Sequence, residues 1–330
     1  MLSALKSQPA RRLKLADHDV SPLPYAGSQR ASAPQLHRLL GSTQLLIEPF
    51  AGSASVSLSG ARAGLYGGVW LNDAYRPVSN FFHQIQLDCE ALLCSVSKII
   101  DDYDLYRLSS LKQEDLTQER APDWARDVAR RAGEHLLTKL DEPSPEGAAA
   151  TYVLHRCSYG SKGAAAGLSL QRMSGKLTPS IVGALRLHAQ TFGRAQFKIT
   201  NQCWSEVIAS ADRDATIYLD PPYWNGQLLY GRRGELHKKF VSHWFETGCF
   251  HEVVNRIGNR TVITLDANPE HLKGLHSWAT YSRMADYQNG KPPIKEYVFL
   301  NFEAEMTAVY AKAFGWTLIA PSDGAPRLAA

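Results

Sequence analysis

Residues 217–223 read Ile-Tyr-Leu-Asp-Pro-Pro-Tyr, a hydrophobic run that leads directly into Asp220, Pro221, Pro222 and Tyr223. Two consecutive prolines donate no backbone hydrogen bond and fix their own φ, so a strand has to end there in a rigid loop. α/β enzymes bind ligands at such loops, beyond the carboxyl ends of buried strands. A carboxylate, proline carbonyls and an aromatic ring can accept hydrogen bonds from a planar amine and stack on its ring. The stretch predicts an α/β fold with a site at this loop; the alternative is an ordinary strand and turn.

Other segments repeat the alternation of strands and helices. We predict strands near residues 44–48, 69–71, 216–219, 261–265 and 296–302. Such alternation is typical of a mostly parallel sheet with helices on both faces. Residues 88–142 differ, because they carry apolar residues at helical spacing and predict a helical insertion.

Composition excludes several classes of protein. The chain has 330 residues, of which 44% are hydrophobic and 21% charged, as in a soluble globular protein. No apolar run is long enough to span a bilayer, and basic residues 1–20 lack the apolar core of a signal peptide. The five cysteines form no C-x-x-C pair, which argues against a zinc site or a disulfide framework. We therefore expect a reducing, cytoplasmic location, in a bacterium or a phage-infected host cell.

The distribution of charge singles out residues 147–205. These 59 consecutive positions contain no Asp or Glu, although the whole chain has 32. Basic residues without counter-charges favour a surface that contacts phosphates; a solvated basic face is the alternative. The candidate nucleic-acid-binding residues are Arg156, Lys162, Arg172, Lys176, Arg186 and Arg194.

Three further motifs lie before this region. Residues 45–56 (LLIEPFAGSASV) read as a strand ending at Glu48, a turn of small residues and an apolar helix, where a cofactor could approach backbone N–H groups. They form neither a G-x-G-x-x-G motif nor a P-loop. Asp73 ends the next strand, and either accepts hydrogen bonds from a ribose or caps the following helix. Residues 22–30 (PLPYAGSQR) form an aromatic and glycine-containing turn.

In this order the segments resemble the Dam-like DNA adenine-N6 methyltransferases over roughly residues 22–302. PLPYAGSQR is similar to the family's N-terminal motif, IEPFAGSASV to its cofactor loop and DPPYW to its catalytic loop. The resemblance implies a Rossmann-like fold with a target-recognition insert, S-adenosylmethionine as cofactor, and double-stranded DNA as partner, with a possible place in restriction–modification. The residues it implies for the cofactor are Tyr25, Gly27, Glu48, Phe50, Gly52, Asp73 and Asp220, with Asp220 and Tyr223 also holding the adenine.

The chain departs from the family pattern at three places. Gln29 stands where the family has a lysine, and Ala54 stands where the cofactor loop usually has a second glycine. His155 and Arg156 replace an Asn-Arg pair ahead of the recognition region.

The expected chemistry follows from the target amine, whose lone pair is delocalised into the adenine ring. Asp220 and the Pro221 carbonyl would accept its two N–H bonds and expose the lone pair, so that positioning and electrostatics suffice and no metal is needed. The base has to leave the stack, with Tyr223 or Trp224 stacking on it. No Pro-Cys dipeptide is present, which disfavours cytosine-C5 methylation. Cytosine-N4 or RNA adenine methylation and a non-catalytic DNA-binding descendant remain alternatives.

We divide the chain into five segments. A flexible basic arm is expected at 1–20, catalytic parts at 21–90 and 201–310, a helical insert with the basic recognition region at 91–200, and a tail at 311–330. The sequence specifies neither the recognition site nor the oligomeric state.

Overall fold

In the described part of the chain, eight strands form one sheet. The computed structural model describes residues 21–117, 119–178, 182–224, 234–285, 293–302 and 315–320. The strands are β1 Thr43–Glu48, β2 Tyr66–Asn72, β3 Gln196–Thr200, β4 Thr216–Leu219, β5 Thr261–Asp266, β6 Ala279–Ala285, β7 Ile294–Leu300 and β8 Thr317–Ala320.

Strand direction divides the sheet into two parts. The strand order is β3-β2-β1-β4-β5-β7-β6-β8. The first five strands in this order are parallel to one another, whereas β7 is antiparallel to β5 and β6, and β6 is antiparallel to β8. The predicted α/β fold with a mostly parallel, Rossmann-like sheet is confirmed. The chain runs outward from β1 to β2 and β3 and then returns to β4 on the other side of β1. This reversal creates a crevice between the carboxyl ends of β1 and β4, where open α/β sheets bind ligands.

Both faces of the central strands are buried, because helices cover each side. In β1, Leu46 packs into one hydrophobic cluster and Ile47 into the other. Strand β4 repeats the pattern, since Tyr218 faces the first cluster and Ile217 the second. Alternate side chains of a strand point to opposite faces, so a strand covered on both sides reads as a continuous apolar run. These runs are the strands that the sequence predicts best.

The helices of the described residues are α1 Ala33–Leu40, α2 Ser55–Arg62, α3 Arg76–Leu87, α4 Cys89–Asp102, α5 Asp123–Lys139, α6 Pro145–Cys157, α7 Leu170–Lys176, α8 Leu185–Ala189, α9 Trp204–Ala209, α10 Glu235–Phe240, α11 Cys249–Val254 and α12 Pro269–Gly274. Helices α1 to α9 precede β4, and α9 joins β3 to β4. Three of the helices begin with a side-chain cap: Asp88, Ser144 and Asn268 accept hydrogen bonds from backbone N–H groups of the first turns of α4, α6 and α12.

The helical region after β2 is organised around α6. This helix packs against α3, α4 and α5, and its Ala148, Ala149 and Ala150 are all buried. Small side chains let the neighbouring helices approach closely. A Cβ at Gly147 would lie 2.1 Å from the Glu142 carbonyl oxygen, so only glycine fits at this crossing. The predicted helical character of residues 88–142 agrees with α4 and α5.

Two strands of the sheet lie in segments that the sequence assigns to the insert and to the tail rather than to the catalytic parts. Strand β3 lies within the range 91–200 that we assigned to the insert and recognition region, and β8 lies within the predicted tail. The predicted arm at 1–20 lies outside the described residues. No helix in the described part of the chain is both long and apolar enough to cross a membrane. All five cysteines are free thiols.

Candidate active site

A cavity of about 540 Å³ lies where the carboxyl ends of β1, β2 and β4 meet. The loop after β1 forms its floor, the N-terminal turn at residues 25–29 forms one wall, and the catalytic loop forms another. All seven residues predicted to bind the cofactor line it: Tyr25, Gly27, Glu48, Phe50, Gly52, Asp73 and Asp220.

The loop after β1 requires small residues for a steric reason. Gly52 has a φ of +47°, and a Cβ there would lie 3.3 Å from the Tyr25 ring, which covers the loop. Ala54 has a φ of 51° in the left-handed region, where a side chain costs roughly 1 kcal/mol. The family's glycine at this position therefore matches the backbone that this chain adopts with alanine.

Asp73 joins the loops that follow β1 and β2. Its Oδ2 accepts a hydrogen bond from the Gly52 N–H at 2.8 Å, and its Oδ1 accepts one from the Tyr75 N–H at 2.9 Å. Tyr75 is the residue just before α3, so the carboxylate also supports the start of that helix. A carboxylate oxygen has more than one lone pair, and Asp73 faces the cavity, so contact with a ligand remains open to it.

Three carboxyl groups share the cavity, and burial raises the pKa of each. The pKa of Glu48 is raised to about 8 by burial, partly offset by a hydrogen bond from Ser57 and reinforced by the nearby Asp220 and Asp73. Burial raises the pKa of Asp73 to about 6 despite its two backbone donors. For Asp220, burial and then the negative charge of Glu296 raise the pKa to about 7. Such a group of carboxyls is suited to a cationic ligand, which would favour their ionised forms.

The two oxygens of Asp220 have different surroundings. Oδ1 accepts hydrogen bonds from Thr264 Oγ1 at 2.6 Å and from Gln29 Nε2 at 3.2 Å. Thr264 is itself contacted by the Tyr218 hydroxyl at 3.0 Å. Oδ2 accepts no hydrogen bond from any residue that the structure describes, and Asp220 lines the cavity. One oxygen is therefore held by the protein while the other remains able to accept an N–H group.

The aromatic residues of the catalytic loop are anchored by the protein. The Tyr223 hydroxyl donates a hydrogen bond to Glu296 Oε1 at 2.5 Å and accepts one from Gln29 Nε2 at 3.1 Å. The Trp224 N–H donates to Asp266 Oδ1 at 2.8 Å, and its ring stacks on Phe245. Pro222 lines the cavity and Pro221 is buried, but Tyr223 is not among the described lining residues. Stacking of a base on Tyr223 or Trp224 stays a prediction.

An aromatic wall completes the cavity, and our reading of the sequence did not identify it. Trp204 at the start of α9 and Phe240 at the end of α10 contact Phe50, with ring centroids 5.6 and 5.5 Å away. Trp244 packs against Trp204 and belongs to a π-helical turn, Val241–Phe245, a feature often found at functional sites. Only the position of Trp204 shortly after a strand could have indicated this aromatic wall, and that strand, β3, was not predicted.

The predicted nucleic-acid-binding residues fall into separate groups. Arg156, Arg172 and Lys176 lie close enough together to act electrostatically on the buried Cys157 thiol. Next to them, His155 stacks on Tyr25 with ring centroids 4.9 Å apart, which places the end of α6 beside the cavity. Lys162 lies in the loop that follows α6.

Arg186 and Arg194 lie elsewhere. Arg186 is paired with Glu90 of α4, with Nε 2.6 Å from Oε1. Glu90 lies outside residues 147–205, so the absence of acids from that stretch did not reveal this ion pair. Arg194 is exposed just before β3. Four further basic residues follow the DPPYW loop: Lys239 lines the cavity and Lys238 precedes it on α10, whereas Arg232 and Arg233 lie outside the described residues.

The described residues contain no group of three or more His, Cys, Asp or Glu side chains arranged to hold a metal ion. The polar groups that line the cavity include carboxylates, amides and hydroxyls, which suit an organic ligand.

Comparison with known proteins agrees with this geometry. The family model described as D12 class N6 adenine-specific DNA methyltransferase matches residues 25–232, which is more than half of the chain. The match begins at Tyr25 on the cavity wall and extends past the catalytic loop. A search of curated proteins gave no match. The chain thus belongs to the D12 class of N6 adenine-specific DNA methyltransferases, enzymes that methylate adenine in DNA.

Proposed function

We propose that the chain binds S-adenosylmethionine in this cavity and methylates the N6 amine of an adenine that has left the DNA stack. The observation that carries the proposal is Asp220, whose Oδ1 is held by Thr264 and Gln29 while Oδ2 remains available at the cavity wall.

The residues of the cavity fit this cofactor in shape and charge. Gly52 and Gly27 have no side chains, which leaves room for a ligand at one wall of the cavity. Phe50 and Trp204 offer flat apolar surfaces for a purine, and Asp73 can accept hydrogen bonds from hydroxyl groups. Glu48, Asp73 and Asp220 supply negative charge for a ligand that carries a sulfonium and an ammonium group. When bound, S-adenosylmethionine supplies a methyl group whose bonding electron pair returns to sulfur on transfer.

Asp220 would act on the adenine amine by accepting a hydrogen bond from one of its N–H groups, and the Pro221 carbonyl would accept one from the other. Both acceptors draw the nitrogen towards a tetrahedral form in which its lone pair can attack. The nitrogen gains a methyl group and loses one proton. The Asp220 carboxylate can accept this proton, since its pKa is raised to about 7, and pass it to water.

The charge of the cavity also favours replacement of the demethylated product by fresh cofactor. The sulfonium becomes a neutral thioether when the methyl group leaves, so the three carboxyls stabilise the bound cofactor more than the product that remains. We expect the cofactor to bind more tightly than its demethylated product, and this preference to grow as pH rises from 6 to 8.

The DNA would approach from the side of α6, because Arg156, Arg172 and Lys176 lie near Cys157 at the end of that helix and can contact phosphates. An adenine inside a duplex cannot reach Asp220, since the carboxylate lies in a recessed cavity. Extrusion of the base follows from that placement.

Sequencing of modified bases in plasmid DNA tests this proposal directly. DNA from cells that express the wild-type chain should carry N6-methyladenine in one sequence context, and DNA from cells that express Asp220→Ala should not. Modified cytosine, or methylation confined to RNA, would replace the proposed substrate. Unmodified nucleic acid together with a failure of the purified chain to bind S-adenosylmethionine would overturn the proposal.

A further inference from the structure

A buried polar network lies behind the catalytic loop. Arg283 on β6 and Glu296 on β7 are cross-strand partners and form an ion pair, with Arg283 Nη2 2.7 Å from Glu296 Oε2. Their exposed fractions are only 4% and 0%. Taking both charges out of water costs about as much as their attraction returns, so stability alone does not explain such a pair.

Gln29 connects this ion pair to the catalytic residues. Its Oε1 accepts a hydrogen bond from Arg283 Nη2 at 2.8 Å. Its Nε2 donates one N–H to Asp220 Oδ1 at 3.2 Å and the other to the Tyr223 hydroxyl at 3.1 Å. The same tyrosine donates to Glu296, which closes the network on itself.

The orientation of the Gln29 amide depends on Arg283. An amide has an accepting and a donating end, and in isolation either end could face Asp220. Because a guanidinium only donates, Arg283 requires the amide oxygen on its own side. The amide nitrogen then has to face Asp220 and Tyr223. With the amide reversed, its oxygen would meet the Asp220 carboxylate, and the amide nitrogen would meet a cation.

We propose that Arg283 is a positioning residue for methyl transfer, which acts through Gln29 to fill Asp220 Oδ1 and to favour the charged carboxylate whose Oδ2 accepts the target amine. The inference rests on the proposed function. It assigns a role to Gln29, which occupies the place of a family lysine, and to two strands that the family match does not reach.

The charges around Asp220 support the direction of this effect. Glu296 raises the pKa of Asp220, whereas Thr264, Gln29 and Arg283 lower it. The other titratable groups that face Asp220 are Glu48, Tyr218 and Tyr223. The negative charge of Glu296 favours the protonated form of Asp220. Arg283 neutralises that charge, and it also orients Gln29 so that the amide nitrogen donates a hydrogen bond to Asp220.

The test uses Gln29→Met, which keeps the size of the side chain, removes both donors and buries no new charge. The rate of methyl transfer with saturating cofactor and DNA is measured from pH 5.5 to 9. We expect the midpoint of the profile to move upward. A shift of about one pH unit lowers the rate at pH 7 about fivefold, as the ionised fraction falls from a half to about a tenth. Gln29→Glu, which brings a like charge to Asp220, should move the midpoint further.

Gln84→Met is the matched control, because Gln84 is a buried glutamine on α3 that bonds to Asn80 and lies outside the cavity lining. It should keep the wild-type midpoint. Arg283→Met, which removes the guanidinium that orients Gln29 and leaves the negative charge of Glu296 in place, should also raise the midpoint. Wild-type midpoints in both Gln29 variants would show that the network only supports the fold.

A second measurement separates this inference from the proposed function. The pKa of Asp220 is followed by ¹³C NMR of carboxyl-labelled aspartate, with its signal assigned from Asp220→Asn. We expect a higher pKa in Gln29→Met than in the wild type, whether or not the protein transfers methyl groups. An unchanged pKa overturns the inference, whereas absence of methyl transfer with a shifted pKa overturns only the proposed function.

Discussion

Single carboxyl groups dominate the behaviour of the cavity, and most of them could be identified from sequence. Glu48 ends a predicted strand, and Asp73 and Asp220 follow predicted strands, so the parallel sheet predicts that the three carboxyls meet. Their partners could not be identified in the same way. Thr264, Glu296 and Arg283 are polar residues inside buried strands. Their hydrogen bonds around Asp220 can be recognised only when β5, β7 and β6 lie side by side.

These carboxyls predict an unusual pH dependence of stability. Their pKa values in the folded protein, about 8, 6 and 7 for Glu48, Asp73 and Asp220, all lie above those of an unfolded chain. At these three sites the folded state binds more protons between pH 4 and 8, so their contribution to stability falls as pH rises, whereas His37, His155 and His251, whose pKa values burial lowers to about 4, contribute in the opposite direction. Thermal unfolding of the ligand-free wild type and of a carboxyl variant at pH 5.5 and 8 therefore isolates the contribution of the carboxyl.

Asp220→Asn should reduce this loss, because the amide carries no charge at any pH. We expect the variant to exceed the wild type in stability at pH 8, by on the order of 2 kcal/mol, and by much less at pH 5. Saturating S-adenosylmethionine should also offset the loss, since a cation stabilises the ionised carboxyls. The same difference in midpoint between Asp220→Asn and the wild type at pH 5.5 and at pH 8 would contradict the burial of charge described above.

The sequence predicts some strands of the sheet and not others. Strands β1, β2, β4, β5 and β7 were identified because both of their faces are buried, which gives an apolar run. Strand β3 lies at the sheet edge and is partly exposed, and β6 reads Ala-Thr-Tyr-Ser-Arg-Met-Ala, whose polar residues find partners only in three dimensions. Strand β8, Thr317–Ala320, is short and lies at the other edge.

The turn after β1 provides a direct test of the cofactor loop. Gly52→Ala forces a side chain onto a residue with positive φ and against the Tyr25 ring, so both stability and cofactor affinity should fall. Gly64 is the matched control, because its φ is +70° and a Cβ there meets nothing within 4 Å. Both variants should lose roughly 1–2 kcal/mol of stability through backbone strain.

Calorimetry with S-adenosylmethionine distinguishes the two glycines. Gly64→Ala should bind the cofactor with wild-type affinity, and Gly52→Ala should bind it at least tenfold more weakly. Equal affinity in both variants would place the cofactor away from this turn.

At the level of the whole molecule, the distribution of basic residues predicts the DNA face. The acid-free sequence indicated a basic surface, but it could not show that Arg186 bonds to Glu90 or that Arg172 and Lys176 lie together. Arg172→Ala and Lys176→Ala should each weaken DNA binding. Each should also reduce the slope of log affinity against log salt by about one unit.

Arg186→Ala is the control for this surface, since its guanidinium is already paired with a carboxylate. It should leave affinity and salt slope close to wild type in fluorescence anisotropy with a labelled duplex. If only Arg186→Ala weakened binding, the DNA face would lie on α4 and α8 rather than beside α6.

The central claim is that Asp220 accepts the target amine through Oδ2, and Asp220→Asn tests it most directly. Thr264 and Gln29 both donate to Oδ1, so the asparagine has to place its carbonyl oxygen there and its amide nitrogen where Oδ2 was. A donor would then meet the donating amine of adenine. We predict that single-turnover methyl transfer at saturating S-adenosylmethionine falls at least about a hundredfold while the affinity for DNA stays within about threefold of wild type. Methyl transfer at near wild-type rate in this variant would contradict the account.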